Sequence, residues 1–270
     1  MVEDVQLGPL ATAFKDLPAS AHPKQWNSFY EESVYPWDRG GPSLALKDIL
    51  IQRPDLIPPP EPGATALVPG CGFGHDVILL ASLGYDVWGL DVSERGLEMA
   101  RQNEQETRDE YKMREGHSRG TIHWTLANFF ALDWTNGAGT GGAGKFDLIF
   151  DYTFLCALPL ELRPRWSKQM TTLLTSNGRL ICLEFPAGKP LREIGPPWGL
   201  NPGVYEALLA QPGEEVSYDS NGDGTVVSDP SRKPRDDALR CLSLTKPSRT
   251  HKAGYYEDGS VRDLVSVWGR

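Results

Sequence analysis

A single α/β domain built on a mainly parallel sheet is the fold this sequence predicts, and three observations predict it. Short apolar runs rich in Val, Leu and Ile alternate with longer helix-forming stretches between about residues 64 and 186. A turn with three glycines follows the first apolar run, at the end of a strand where parallel sheets hold ligands. The length of 270 residues, with 40% hydrophobic and 23% charged, is that of a globular chain large enough for one sizeable domain. The balance of 27 basic against 36 acidic residues, net −9, opposes binding to a polyanion. No apolar run reaches the roughly 20 residues that cross a bilayer, and the opening MVEDVQLGPL lacks the basic and apolar stretches of a signal peptide. The expectation is a cytoplasmic protein with a small-molecule ligand, no nucleic-acid partner and no membrane partner; its oligomeric state is open.

The elements follow in order. The first 20 residues carry little periodic pattern and read as a loosely packed arm. PDLIPPPEPG (54–63) is too rich in proline for helix or central strand and serves as a connector. ATALVP (64–69) is the first strand, and HDVILLASL (75–83) the helix after the glycine turn, with His75 opening it. YDVWGLD (85–91) is the second strand, and the helix after it starts at Ser93, a good N-cap. TIHWTLA (121–127) and KFDLIFD (145–151) are the third and fourth strands. LRPRWSKQMTTLL (162–174) is a helix leading through the turn SNG into the fifth strand, GRLICLEFP (178–186). Beyond it, PGVYEALLA (202–210) is a helix and VRDLVSVW (261–268) a strand, in a segment rich in Gly, Pro and acids.

The glycines fall as Gly70-Cys71-Gly72-Phe73-Gly74, not in the spacing of dinucleotide sites, and let the backbone approach a ligand closely. Asp91 ends the next strand, where a carboxylate accepts from both hydroxyls of a ribose. Together they predict a nucleoside-binding site. The four cysteines, Cys71, Cys156, Cys182 and Cys241, are too scattered for a zinc site and read as reduced thiols. Asp219, Asn221, Asp223 and Gly224 match the start of a calcium loop, but its twelfth position is Pro230 where a bidentate glutamate is needed, so a polar turn and no metal site are expected.

Trp26 with Tyr30, then YPWDRG (35–40), ALVPGCGFGHDV, GLDVS, FDLIFDYTFLCAL and LRPRW form an ordered set across residues 26–186. This set resembles the thiopurine/thiol methyltransferase family, most closely its halide and thiol methyltransferase branch. The resemblance implies a class I methyltransferase (Rossmann-like) fold, with seven strands, the last antiparallel and supplied by 261–268. It implies one domain over 1–270: an N-terminal lid at 22–50, a cofactor-binding core at 62–186, and a C-terminal elaboration with the last strands at 187–270. The implied cofactor is S-adenosyl-L-methionine. Gly70, with Gly72 in the same turn, would lie against its methionine part, Asp91 would hold the ribose, and Val92, Asn128 and Phe129 would contact the adenine. The family usually has an acid where this chain has Asn128. Tyr152 matches a position facing the methyl group.

Trp26 and Tyr30 share one helical face, and Pro36 breaks the chain before Trp37. Core packing explains that pattern as well as a lid does; the resemblance implies the lid, where an indole face attracts the cationic sulfonium. Methyl transfer from a sulfonium needs no protein nucleophile, and needs a base only for a protonated acceptor. Candidates for such a base are Tyr152, Glu184 and His251, while Asp151 and Glu184, at strand ends, either orient a substrate or cap a loop. Phe154, Leu155 and Phe185 are expected around a small apolar acceptor cleft; Phe185 stands where the halide-active branch often has tyrosine. The sequence thus points to transfer of methyl to a thiol, hydrosulfide or halide. A larger oxygen or nitrogen acceptor, or a non-catalytic cofactor-binding role, is the alternative.

Overall fold

A computed structural model describes residues 7–113, 116, 118–227, 229, 231–233 and 235–270. The strands are β1 (Thr65–Pro69), β2 (Asp86–Asp91), β3 (Ile122–Leu126), β4 (Phe146–Tyr152), β5 (Leu174–Glu184), β6 (Arg240–Thr245) and β7 (Leu264–Gly269). They form one seven-stranded sheet in the order β3-β2-β1-β4-β5-β7-β6, with β7 antiparallel to both neighbours and the other named pairings parallel. The helices are α1 (Pro9–Phe14), α2 (His22–Glu31), α3 (Leu44–Gln52), α4 (His75–Ser82), α5 (Glu94–Thr107), α6 (Arg163–Leu173) and α7 (Pro202–Ala210).

β1 and β4 are buried along nearly their whole length and β5 over its second half, as expected of parallel strands covered on both faces. From β1 the chain steps outward through β2 to β3, whereas from β4 it steps the other way to β5. Right-handed crossovers therefore put α4 and α5 on one face and α6 on the other. The reversal lies between β1 and β4, and it opens a crevice at their carboxyl ends. Ser93 caps α5 by accepting from Gly96 N at 2.9 Å, as its sequence position predicts.

Four segments differ from the sequence reading. The N-terminal arm is packed: α1 buries Phe14, 2% exposed, against His22, Trp26, Phe29 and Trp198; residues 1–6 of that arm lie outside the described residues. Within 22–50, α3 packs on β5 with Ala45, Leu46, Ile49 and Leu50 buried, so only the part before it borders the crevice. The fifth strand starts at Leu174, because Leu174 pairs with Phe146 before the register shifts. β6 was not assigned at all; it is an exposed edge strand with no buried face to leave an apolar pattern. The four cysteines are free thiols, and 219–225 is a polar turn in which Asp223 accepts from Thr225 N and Asn221 donates to Asp219. Pro230 lies outside the described residues.

Candidate active site

Two neighbouring hollows open at the carboxyl ends of β1, β2 and β4. The larger is a trough of about 460 Å³. The smaller, about 60 Å³, shares Trp37, Gly70 and Thr153 with it.

The glycine turn shapes the floor of the trough. A Cβ on Gly70 would fall 2.5 Å from a Phe154 ring carbon, and one on Gly74 would fall 2.3 Å from Trp124. Both residues also have positive φ, so their glycines answer close approach and conformation together. Asp91 is 7% exposed and borders the trough; its Oδ2 accepts from Gly72 N at 3.0 Å and its Oδ1 from Ser93 N at 3.0 Å. Burial pushes the Asp91 carboxyl up, while those two N–H groups and Val92 N hold it down. Each oxygen keeps a lone pair for a ribose hydroxyl. Val92, Asn128 and Phe129 line the same trough. Asn128 Oδ1 accepts from Phe130 N at 2.9 Å, which leaves its Nδ2 and a second lone pair on Oδ1 for the edge of an adenine ring. These features fit the nucleoside and amino-acid parts of the cofactor that the sequence resemblance implies.

Helix α2 roofs the trough through Trp26 and Tyr30, and Trp37 follows after the chain turns. Trp37 meets the rings of Trp26 at 5.3 Å, Phe29 at 5.7 Å and Tyr30 at 5.3 Å. Packing and lining are therefore both properties of the same rings. Ser93 Oγ donates to Asn27 Oδ1 at 2.7 Å, tying this roof to the N-cap beside Asp91.

Gly72, Tyr152 and His251 border the smaller pocket. Its wall is more polar than the apolar cleft read from sequence: Asp38, Arg39, His75 and Asp76 also face it. His75 Nε2 lies 3.2 Å from Asp38 Oδ1. Burial works against the Asp38 charge, but His75 and Gly40 N outweigh it and hold the carboxyl low. Asp76 accepts from Ser43 N at 2.7 Å, and burial pushes it up to about 6. Tyr152 is buried, which raises its phenol far above the ordinary value against the pull of Arg39. Its hydroxyl lies 3.2 Å from His251 Nδ1, and His251 Nε2 lies 3.1 Å from Pro42 O. Burial lowers the His251 imidazole, and Arg39 adds to that.

Four expected positions fall elsewhere. Phe154 lines the trough against Gly70 and not the smaller pocket. Leu155 is fully buried core, its N–H donating to Asp151 Oδ1 at 3.1 Å. Glu184 is 1% exposed and borders neither hollow; Phe185, one position on, sits beneath Arg39 at 5.5 Å, outside the pocket lining. The odd–even alternation of a strand explains the pair, since Glu184 shares the Cys182 face, near Tyr205 of α7. Asp151, the other strand-end acid, accepts from Leu155 N and from Trp166 Nε1 at 2.8 Å, and is a structural anchor that burial pushes up to about 6.

Two wall residues carried no role in the sequence reading. Arg39 was visible in the motif YPWDRG as a lone cation beside aromatic residues. Thr153 has φ +62°, rare for a β-branched residue, and separates the two hollows; no sequence signal marks it.

Comparison with known proteins places these features in context. A family model described as thiopurine S-methyltransferase matches residues 21–233. Thiocyanate methyltransferase 1 of Brassica oleracea is 34% identical over 208 residues, 77% of this chain and 81% of its own. Probable thiol methyltransferase 2 of Arabidopsis thaliana is 35% identical, over 71% of this chain and 74% of its own. Among solved structures, the CcbJ methyltransferase of Streptomyces caelestis shares the fold at a TM-score of 0.53 and 17% identity, over 94% of this chain and 99% of that one.

Proposed function

The chain belongs to the thiopurine S-methyltransferase family and is an S-adenosylmethionine-dependent S-methyltransferase, and we propose that its acceptor is a small soft nucleophile: a thiol, hydrosulfide, thiocyanate or halide. The observation that carries this choice is the size of the second pocket. At about 60 Å³ it is roughly an eighth of the trough beside it, which suits an acceptor of a few atoms. The named substrates of the two plant relatives support the same class for sulfur. For halide, support comes only from the small pocket and the chemistry of a soft anion.

In this reading Asp91 accepts from the ribose hydroxyls, Gly70 and Gly72 leave room for the amino-acid part, and Asn128 donates from Nδ2 to the adenine ring. Trp26, Tyr30 and Trp37 form the roof that keeps water out. When bound, the cofactor supplies an electrophilic sulfonium methyl. Gly70, Thr153 and Trp37, shared by both hollows, mark the passage through which the acceptor meets it in line. Tyr152 and His251 stand at the acceptor side, whereas Glu184 has no path to it. The acidic net charge supports a small-molecule partner without nucleic acid, and we place the enzyme in the cytoplasm. Among the described residues no helix is long and apolar enough to cross a membrane.

The test is an acceptor panel of thiocyanate, hydrosulfide, iodide, a small alkyl thiol, a thiopurine, a phenol and an amine, with methylated product read by mass spectrometry. Small sulfur acceptors should lead, with iodide turning over measurably. A phenol or amine preferred a hundredfold over every sulfur compound would replace this reading with the larger-acceptor one.

A further inference from the structure

The small pocket is walled by a cation that has no counter-ion among the described residues. Arg39 is the one arginine or lysine in its wall among the described residues. The guanidinium donates from Nη1 to Pro36 O at 3.3 Å and lies over the Phe185 ring at 5.5 Å, and its Nε is buried without a hydrogen-bond partner among the described residues. No carboxylate among the described residues makes an ion pair with it. Asp38 is engaged by His75 and Gly40 N, Asp76 by Ser43 N, and Asp263 by Thr250 Oγ1 at 2.6 Å. A sheltered donor on a charged group is costly when left unpaired, so this arrangement gains most from an incoming anion.

The other polar groups on that wall are already committed. The carbonyl of Pro42 can only accept, so His251 donates to it from Nε2 and its Nδ1 is bare. That nitrogen takes the Tyr152 hydroxyl hydrogen, which turns the phenol's oxygen toward Arg39 as an acceptor and not toward an anion as a donor. Arg39 is left as the group to meet negative charge.

We propose that Arg39 is the acceptor-binding residue: its guanidinium holds a thiolate, hydrosulfide or thiocyanate-like anion in the small pocket and selects charged sulfur acceptors over neutral ones. This rests on the S-methyltransferase reading and specifies the charge state of its substrate. The acceptor's lone pair forms the new bond to the methyl carbon as the bond from that carbon to the leaving thioether sulfur breaks, with the electron pair remaining on that sulfur. With an anionic acceptor no proton changes hands. A neutral thiol loses its proton to solvent on entry, and Arg39 makes that loss easier by stabilising the thiolate. Asp38, Asp76 and Asp263 lie in the same region with opposite sign, and Asp263, whose Oδ1 has no hydrogen-bond partner among the described residues, acts on Arg39 through space, but none of the three forms an ion pair with the guanidinium.

The experiment titrates thiocyanate into the complex with S-adenosylhomocysteine, where no reaction occurs, and follows binding by calorimetry. R39Q should weaken thiocyanate at least tenfold while changing the affinity for S-adenosylhomocysteine less than threefold. In turnover of a small thiol, the ionisation seen in kcat against pH should move up by about one pH unit in R39Q. Unchanged thiocyanate affinity in R39Q that still binds S-adenosylhomocysteine would overturn the assignment and leave Arg39 as a prop on Phe185. Should R39Q fail to fold, R39K is read by the ratio of kcat/KM for thiocyanate to that for neutral thiourea; a fall of threefold or more supports the proposal and an unchanged ratio overturns it. Failure of the wild-type enzyme to methylate any sulfur acceptor would instead overturn the function reading itself.

Discussion

Asp91 and Glu184 both end a strand at the ligand edge of the sheet, and the sequence offers both as site residues, one for ribose and one as a candidate base. Their surroundings differ. Asp91 meets two backbone N–H groups and borders the trough, while both Glu184 oxygens lack a hydrogen-bond partner among the described residues. Burial pushes the Glu184 carboxyl up to about 7, and the nearby Ser266 hydroxyl, which forms no hydrogen bond to it, pulls the other way without offsetting the burial. The folded pKa lies above the unfolded one, so between about pH 4.5 and 7 the folded state holds the extra proton. Stability is therefore lost as pH rises through that window, and the loss is complete above it. Glu184→Gln should stabilise the protein at pH 8, by up to roughly 3 kcal/mol, with no gain at pH 4.5. Thermal melts at the two pH values check this. Activity with hydrosulfide should stay within a few-fold of wild type; a loss of a hundredfold would return Glu184 to the role of base. What sequence reasoning lacked was the parity of the strand: the Phe185 ring packs near that of Tyr152, so its neighbour Glu184 had to face away.

At the scale of elements, the parallel strands and their crossover helices were legible because each leaves an apolar run of the right length. The short or exposed elements were not. Helix α1 has six residues and one large buried side chain, too few to show a period, yet that side chain anchors the roof. Phe14 touches His22, Trp26 and Phe29 on α2, so its role is to hold α2 over the trough. Phe14→Ala should leave the sheet intact and loosen α2, because elements with few core contacts open before the whole fold does. Amide exchange across 22–31 should speed up more than tenfold, with β4 and β5 unchanged. Affinity for S-adenosylhomocysteine should fall several-fold. If protection is lost uniformly across the sheet, α1 belongs to the global core and the roof is no separate unit.

The whole molecule brings four distant stretches of chain onto one crevice: the roof before residue 44, the glycine turn after β1, the ends of β2 and β4, and His251 from the C-terminal segment. That last stretch was legible only in part, because the antiparallel strand showed a pattern while the edge strand and the histidine loop beside it did not. A ligand in the trough meets the roof, the glycine turn and the strand ends together, so it binds the folded state and not the unfolded chain. By mass action, S-adenosylhomocysteine at a hundred times its Kd should add about 2.7 kcal/mol. For a chain of this size that is a rise in Tm of roughly 5–10 °C. Asp91→Ala removes the hydrogen bonds to ribose, charge-assisted contacts worth about 1.5–3 kcal/mol each, and should abolish most of the rise at the same ligand concentration. NAD should give no comparable shift, since the glycine spacing and the Asn128 site are not those of a dinucleotide fold. A rise that survives intact in a folded Asp91→Ala protein would place the ribose away from β2, and the roles of Val92, Asn128 and Phe129 would have to move with it.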